Sequence, residues 1–244
     1  MLLNIAGVGV LGVCLGGLGG FLGTGGGTFA IPALVLAGYD QKLAQGTALV
    51  MVVTNVFKAL LKYRSQSGLD LKLAGMLAAS ASISAAISSM WALSLPSLAL
   101  QKMYGVFLVA LAVFILFSRK KAASEKPLDY RWAVLPGLAG GVSLGLFGVG
   151  GAMLAAPLLV MFYGQSQVRA QGLGLALALP GCSISLLQYA HAGHIDWTIG
   201  AILAIGGLLG VPYGVRLAHR VKESTLIAAF CLFLVVAGTL LLQK

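Results

Sequence analysis

Charge is what this sequence has least of. Of 244 residues, 9% are charged and 59% are hydrophobic. A water-facing domain carries about 25% charged residues, so a soluble globular fold is excluded. The six acids, Asp40, Asp70, Glu125, Asp129, Asp196 and Glu223, fall in loops or at the ends of apolar runs. No carboxylate is left to relay a proton at the midplane of a membrane, which argues against a cation or proton pump. Cysteine is scarce too: Cys14, Cys182 and Cys231 stand alone in separate apolar segments, with no C-x-x-C pair. That excludes a disulfide framework and a zinc site. The opening "MLLNIAGVGVLGVCLGG" lacks a basic n-region and an A-x-A-like cleavage site, so it reads as a retained helix. No Ser-His-acid set or His-rich helix pattern is present, which leaves no catalytic residues to name and argues against a membrane-embedded enzyme. "GVGVLG" at 7–12 fits G-x-G-x-x-G, but it lies inside an apolar helix and has no strand before it.

What the sequence has in abundance is apolar length and glycine. Apolar stretches occupy about 2–22, 28–38, 44–61, 71–95 and 100–117, then about 132–147, 153–163, 168–190, 197–218 and 226–242. Most are long enough to cross a hydrocarbon core of roughly 30 Å. The 34 glycines suit close helix contacts, and the spacings Gly12-x-x-x-Gly16-x-x-x-Gly20 and Gly137-x-x-x-Gly141-x-x-x-Gly145 read as packing motifs. The net charge of +10 sits in short loops, where it orients the chain and meets anionic lipid headgroups. The expected partners are therefore the lipid bilayer and no nucleic acid. Trp91, Trp132 and Trp197 fit interfacial anchors. His191, His194 and Asp196 in "AHAGHID" read as a polar interfacial turn and not as a metal site.

The charged loop at 119–131 divides the chain into a first repeat, 1–118, and a second, 132–244. Gly23, Gly25, Gly26 and Pro32 match Gly148, Gly150, Gly151 and Pro157 at a shift of 125. At a shift of 126, Ala44-Gln45-Gly46 matches Ala170-Gln171-Gly172, Tyr63 matches Tyr189 and Asp70 matches Asp196. Matches in this order indicate an internal duplication. If the short segment from Thr28 continues the first helix, the repeats are parallel; if it turns back, they are inverted. In the inverted arrangement Lys58, Lys62, Arg64, Lys72, Arg119, Lys120, Lys121, Lys126, Arg131, Arg169, Arg216, Arg220 and Lys222 share one side. That is 13 of the 16 basic residues, with Lys42, Lys102 and Lys244 opposite, whereas the parallel arrangement gives 10 against 6. The positive-inside rule therefore favours inversion with an outward N-terminus. The expected fold is an all-α polytopic membrane protein of two homologous halves. Each half has a glycine-rich broken-helix hairpin and three transmembrane helices, giving about 8–10 membrane segments in all.

Non-helical backbone at membrane depth is tolerated only where protein or a wet cavity surrounds it. Helices beginning near Thr28 and Ala152 aim free N–H groups at their turns, and two turns entering from opposite faces would converge on a small anion. The candidate binding residues are Gly23, Thr24, Gly25, Gly26, Gly27, Thr28 and Pro32 in the first turn. Gly148, Gly150, Gly151, Ala152 and Pro157 form the second, where Val149 and Met153 replace Thr24 and Thr28. The path between them is neutral, with Gln45, Thr47, Thr54, Asn55, Gln171, Ser183, Ser185 and Gln188 as lining candidates. Asn55 aligns with Gly181 and Thr54 with Pro180, so the halves are expected to differ. Lys58 either draws an anion inward or snorkels to the headgroups.

The doubled "G-x-GGG-x(4)-P" and "G-x-GG-x(5)-P" turns, the Gln-Gly helix starts and the aligned "GLDL" and "HIDW" signals resemble the sulfite exporter TauE/SafE family over essentially the whole chain. The second turn departs in carrying Ala152 where the first has Gly27. The resemblance implies a multi-pass inner-membrane permease for a small anion such as sulfite or an organosulfonate, with no cofactor. Alternating access about the glycine turns is the expected mechanism and a passive anion channel the alternative. A homo-oligomer remains open.

Overall fold

The computed structural model describes residues 5–22, 25–66, 70–118, 130–149, 151–164, 167–218 and 223–243. These residues are helical, with no strand among them. The first half contains α1 (Ile5–Leu22), α2 (Gly27–Leu36), α3 (Gln41–Gln66), α4 (Leu71–Ser94) and α5 (Ser97–Ser118). A 3-10 turn at Tyr130–Ala133 leads into α6 (Val134–Phe147), α7 (Gly151–Tyr163), α8 (Gln167–His191), α9 (Trp197–Ala218) and α10 (Glu223–Gln243). Five of the ten described helices are long and apolar enough to cross a bilayer: α3, α4, α5, α8 and α9. By contrast α2, with 10 residues, and α7, with 13, reach only about 15–20 Å at 1.5 Å per residue.

The aligned acids prove to be helix starts. Asp70 Oδ1 accepts from the backbone N–H groups of Lys72 (3.0 Å) and Leu73 (3.2 Å) at the head of α4. Asp196 Oδ1 accepts from Ile199 N–H (3.0 Å) at the head of α9, the equivalent helix. Both satisfy amide groups that a helix start leaves orphaned.

Packing pairs each half with the other. Helix α1 lies along α9 and α6 lies along α4, so the first helix of each half rests on the fourth of the other. Small residues form both seams. Gly16 meets the Gly207 backbone, while Gly137, Gly141 and Gly145 lie against Ser80, Ser84 and Ser88. The serine hydroxyls donate to carbonyls of their own helix, so this seam is polar but internally satisfied.

Contacts also fix the running directions. Gly12 faces Leu203 and Gly16 faces Gly207; Thr47 lies by Gly200 and Asn55 by Gly207. Thus α1, α9 and α3 run the same way. Helix α2 starts beside Val52 and ends near the head of α3, so it runs back. The segment from Thr28 therefore folds back as the second arm of a hairpin. The same holds in the second half, where α7 begins beside Gly174 of α8 and ends at Tyr163, just before α8 starts. Helix α3 runs antiparallel to its counterpart α8, with Gln45 near the start of one bonded to Tyr189 near the end of the other. The α2–α3, α4–α5 and α8–α9 connections share one face. Tyr39 Oη donates to Asp196 Oδ2 (3.3 Å) and Ser97 Oγ to Asp40 Oδ2 (2.8 Å). Burial, the Asp196 charge and that hydrogen bond all raise the Tyr39 pKa, so the clasp stays protonated.

The outer surface is apolar. Val10, Ile83, Ile87, Val106, Leu187, Ile205, Leu209 and Leu232 are all exposed, as expected where lipid replaces water. Trp91, Trp132 and Trp197, each more than half exposed, sit at helix ends.

Candidate functional site

The site is built from two hairpin tips. In the first, Gly25 (φ +74°) and Gly26 (φ +89°) both occupy the left-handed region, which only glycine adopts cheaply. Phe29 and Ala30 N–H groups donate to Gly26 O at 3.1 and 3.0 Å, so the amides of Gly27 and Thr28 precede any helical acceptor. Asn55, 2% exposed on α3, donates from Nδ2 to Gly25 O at 3.0 Å and staples the tip. In the second tip Gly148 (φ +70°) ends α6, its N–H donating to Leu144 O at 2.8 Å, and α7 starts at Gly151. Gly23, Thr24 and Gly150 lie outside the described residues.

The tips meet. The fully buried Thr28 hydroxyl donates to Met153 Sδ at 3.7 Å, joining two positions that the duplication aligns. Gly27 sits where a Cβ would strike the side chains of Val52 and Val149, so the junction has no room for one more carbon. Beside it lies a cavity of about 20 Å³ lined by Val52, Val56, Val149, Ala152, Met153 and Leu175 among others. That is about one water molecule's worth of free space, with apolar walls. Pro32 and Pro157 lie inside α2 and α7. Lacking N–H groups, they free the carbonyls of Thr28 and Met153 from the helical ladder and weaken each half-helix just behind its tip.

The other expected residues divide. Gln45 is fully buried beside the second tip, its Oε1 accepting from Tyr189 Oη at 2.7 Å and its backbone carbonyl lying by Gly148. Gln171, its counterpart, is half-buried at the start of α8. Gln188 binds α8 to α4 instead: its Oε1 accepts from Ser89 Oγ (2.7 Å) and its Nε2 donates to Ala86 O (3.1 Å). Thr54, Ser183 and Ser185 donate to carbonyls of their own helices, and Thr47 Oγ1 accepts from Asp196 N–H. Lys58 is exposed one turn beyond Asn55, its Nζ donating to Leu208 O at 3.2 Å. Pro212 stands four residues after Leu208, so this carbonyl has no helical donor and the lysine supplies one.

Among the described residues, no His, Cys, Asp and Glu side chains cluster as metal ligands. One residue escaped the sequence reading. Gln41 is 1% exposed, one turn before Gln45 on α3. Its signal was available, because Gln41 and Gln45 match Gln167 and Gln171 at the same shift of 126.

Comparison with known proteins gives one family. The family model described as "Sulfite exporter TauE/SafE" matches residues 8–241. A "probable membrane transporter protein" of Xylella fastidiosa is 26% identical over 231 residues, covering 92% of this chain and 87% of the relative. Another of Bacillus subtilis is 26% identical over 235 residues, covering 93% and 96%. An archaeal one of Methanocaldococcus jannaschii is 24% identical over 237 residues, covering 89% and 87%. No solved structure matches the chain.

Proposed function

The chain belongs to the sulfite exporter TauE/SafE family of membrane transporters, and on that premise we propose that it carries a small sulfur oxyanion, sulfite or an organosulfonate, across the inner membrane. The observation that carries the mechanism is the meeting of the two tips at Thr28 and Met153. Each tip brings free helix-start amides and a positive dipole end to one place, which suits an anion. The surrounding cavity is water-sized, so this conformation is closed on the substrate path. Opening requires the tips to separate toward one side or the other, and the proline behind each tip supplies the hinge.

The two halves act as inverted repeats, 1–118 and 132–244, joined by the basic linker 119–131. Three observations support this. Each broken segment turns back as a hairpin. The interlock of α1 with α9 mirrors that of α6 with α4. Most tellingly, α3 runs antiparallel to its own counterpart α8. A two-fold axis along the membrane normal would leave counterparts parallel, whereas one in the membrane plane reverses them.

The first-turn and second-turn glycines with Thr28 and Ala152 bind the anion; Asn55 positions the first tip. Lys58, held at the Leu208 carbonyl, marks the approach and not the binding point. The experiment is radiolabelled sulfite uptake into proteoliposomes under an imposed gradient. Saturable flux that accumulates substrate uphill is expected, and it should fall about tenfold or more in Gly27→Ala, whose methyl enters the tip junction. Unchanged flux in that variant would sink the tip site, and non-saturating flux would identify a passive anion channel.

A further inference from the structure

Among the described residues, five buried side-chain atoms lack a hydrogen-bond partner: Gln41 Nε2 and Oε1, Gln45 Nε2, Asn55 Oδ1 and Tyr104 Oη. Interiors leave few such groups, because each forfeits the hydrogen bonds it made in water. Their placement is not scattered. Asn55 staples the first tip. Gln45 and Tyr104 border the second, and Gln41 lies one turn before Gln45 at the head of α3. The Tyr104 ring packs on Phe147, 5.5 Å between centroids, and the Gln45 backbone carbonyl borders Gly148. Gln41 and Gln45, four apart, share one face of α3.

Tyr189 sets the chemistry of this group. Its hydroxyl proton needs an acceptor, which Gln45 Oε1 provides at 2.7 Å. The Gln45 carboxamide is thereby turned so that its acceptor is used and its NH₂ is left to donate. The nearby charges are committed elsewhere. The Asp40 carboxylate accepts from Lys42 N–H and Ser97, the Asp196 carboxylate from Tyr39 and Ile199 N–H, and the Lys42 ammonium donates to Leu93 O. What remains is three buried neutral donors, Gln41 Nε2, Gln45 Nε2 and Tyr104 Oη, with one acceptor, Gln41 Oε1.

We propose that Gln41, Gln45 and Tyr104 form a second subsite for a small oxyanion beside the Phe147–Gly148 tip, with Tyr189 as the positioning residue for Gln45. It rests on the transport reading above and adds a station through which the substrate passes on one side of the tip junction. The two amide NH₂ groups and the phenol donate to the anion's oxygens. Neutral donors hold a passing anion without the grip of an ion pair, as a conduction path requires. The sequence repeats the motif as Gln167, Gln171 and Tyr63.

The test uses full-length protein, sodium sulfite as ligand, proteoliposome flux and thermal melting in detergent. Gln41→Leu removes no hydrogen bond of the closed state. It is expected to raise the sulfite KM about tenfold or more while melting at or above the wild-type temperature. Tyr189→Phe, which unlocks the Gln45 amide, should raise KM about two- to fivefold. Gln101→Leu is the control: this buried glutamine has its amide N–H committed to Leu241 O of α10 at 3.0 Å, and the variant should melt lower with KM unchanged. An unchanged KM in Gln41→Leu overturns the subsite. So does failure of that variant to fold, since it would show the amide to be structural. Wild-type protein that neither binds nor moves sulfite defeats the substrate assignment as well. Saturable wild-type flux with a normal Gln41→Leu KM defeats the subsite alone.

Discussion

Asn55 and Leu144 solve one packing problem with different chemistry. At the first tip the Asn55 carboxamide spans from α3 to Gly25 O. At the aligned position the second half has Gly181, and Leu144 of α6 fills the adjoining space with methyl groups. One tip is pinned by a hydrogen bond and the other by apolar contact. Asn55→Leu should therefore cost about 1–3 kcal/mol by orphaning the half-buried Gly25 carbonyl, read as a lowered melting temperature in detergent. The tip it loosens belongs to the proposed site, so sulfite flux should drop with it. Unchanged melting would mean that the staple contributes nothing. The sequence showed that Asn55 and Gly181 differ, but not why. The reason is a contact across 30 residues of chain, which spacing on α3 does not reveal.

Elements are held by how closely their backbones approach. Gly16 and Gly207, like Gly141 and Ser84, bring helices of opposite halves nearly into backbone contact. Lipid tails are as apolar as leucine, so burial alone does not hold such helices together; dispersion at close range does. Gly141→Leu should push α6 off α4 at a cost of about 1–3 kcal/mol or more, read as loss of a monodisperse peak in size-exclusion chromatography. Val10→Leu, on a lipid-facing position of α1, should leave stability within about 0.5 kcal/mol. The glycine spacings were legible as packing motifs from the sequence. Their partners were not, because a G-x-x-x-G pattern states that something approaches and not which helix it is.

At the scale of the whole molecule, the inverted arrangement is a claim about sides. With Cys14 replaced by alanine, an impermeant maleimide applied to intact cells should label Ala192→Cys, in the α8–α9 connection, and spare Ser124→Cys in the basic linker. Labelling of Ser124→Cys from outside would overturn the orientation. Labelling of both or neither would overturn the placing of these two loops on opposite faces.

The sequence by itself determined the solvent, the duplication and the places where helices break. Each of these is local: composition excludes water, a fixed shift of 125–126 exposes the repeat, and tandem glycines with a following proline interrupt a helix wherever they occur. Tertiary structure alone decided which helices the broken segments lie against, which residues pin them and which polar groups are left with nothing to bond. A ten-residue apolar segment satisfies its own backbone equally well continuing onward or turning back. The choice is made by close packing of α2 on α3 and of α7 on α8. The same packing leaves Gln41 buried without a partner, a condition that no reading along the chain contains.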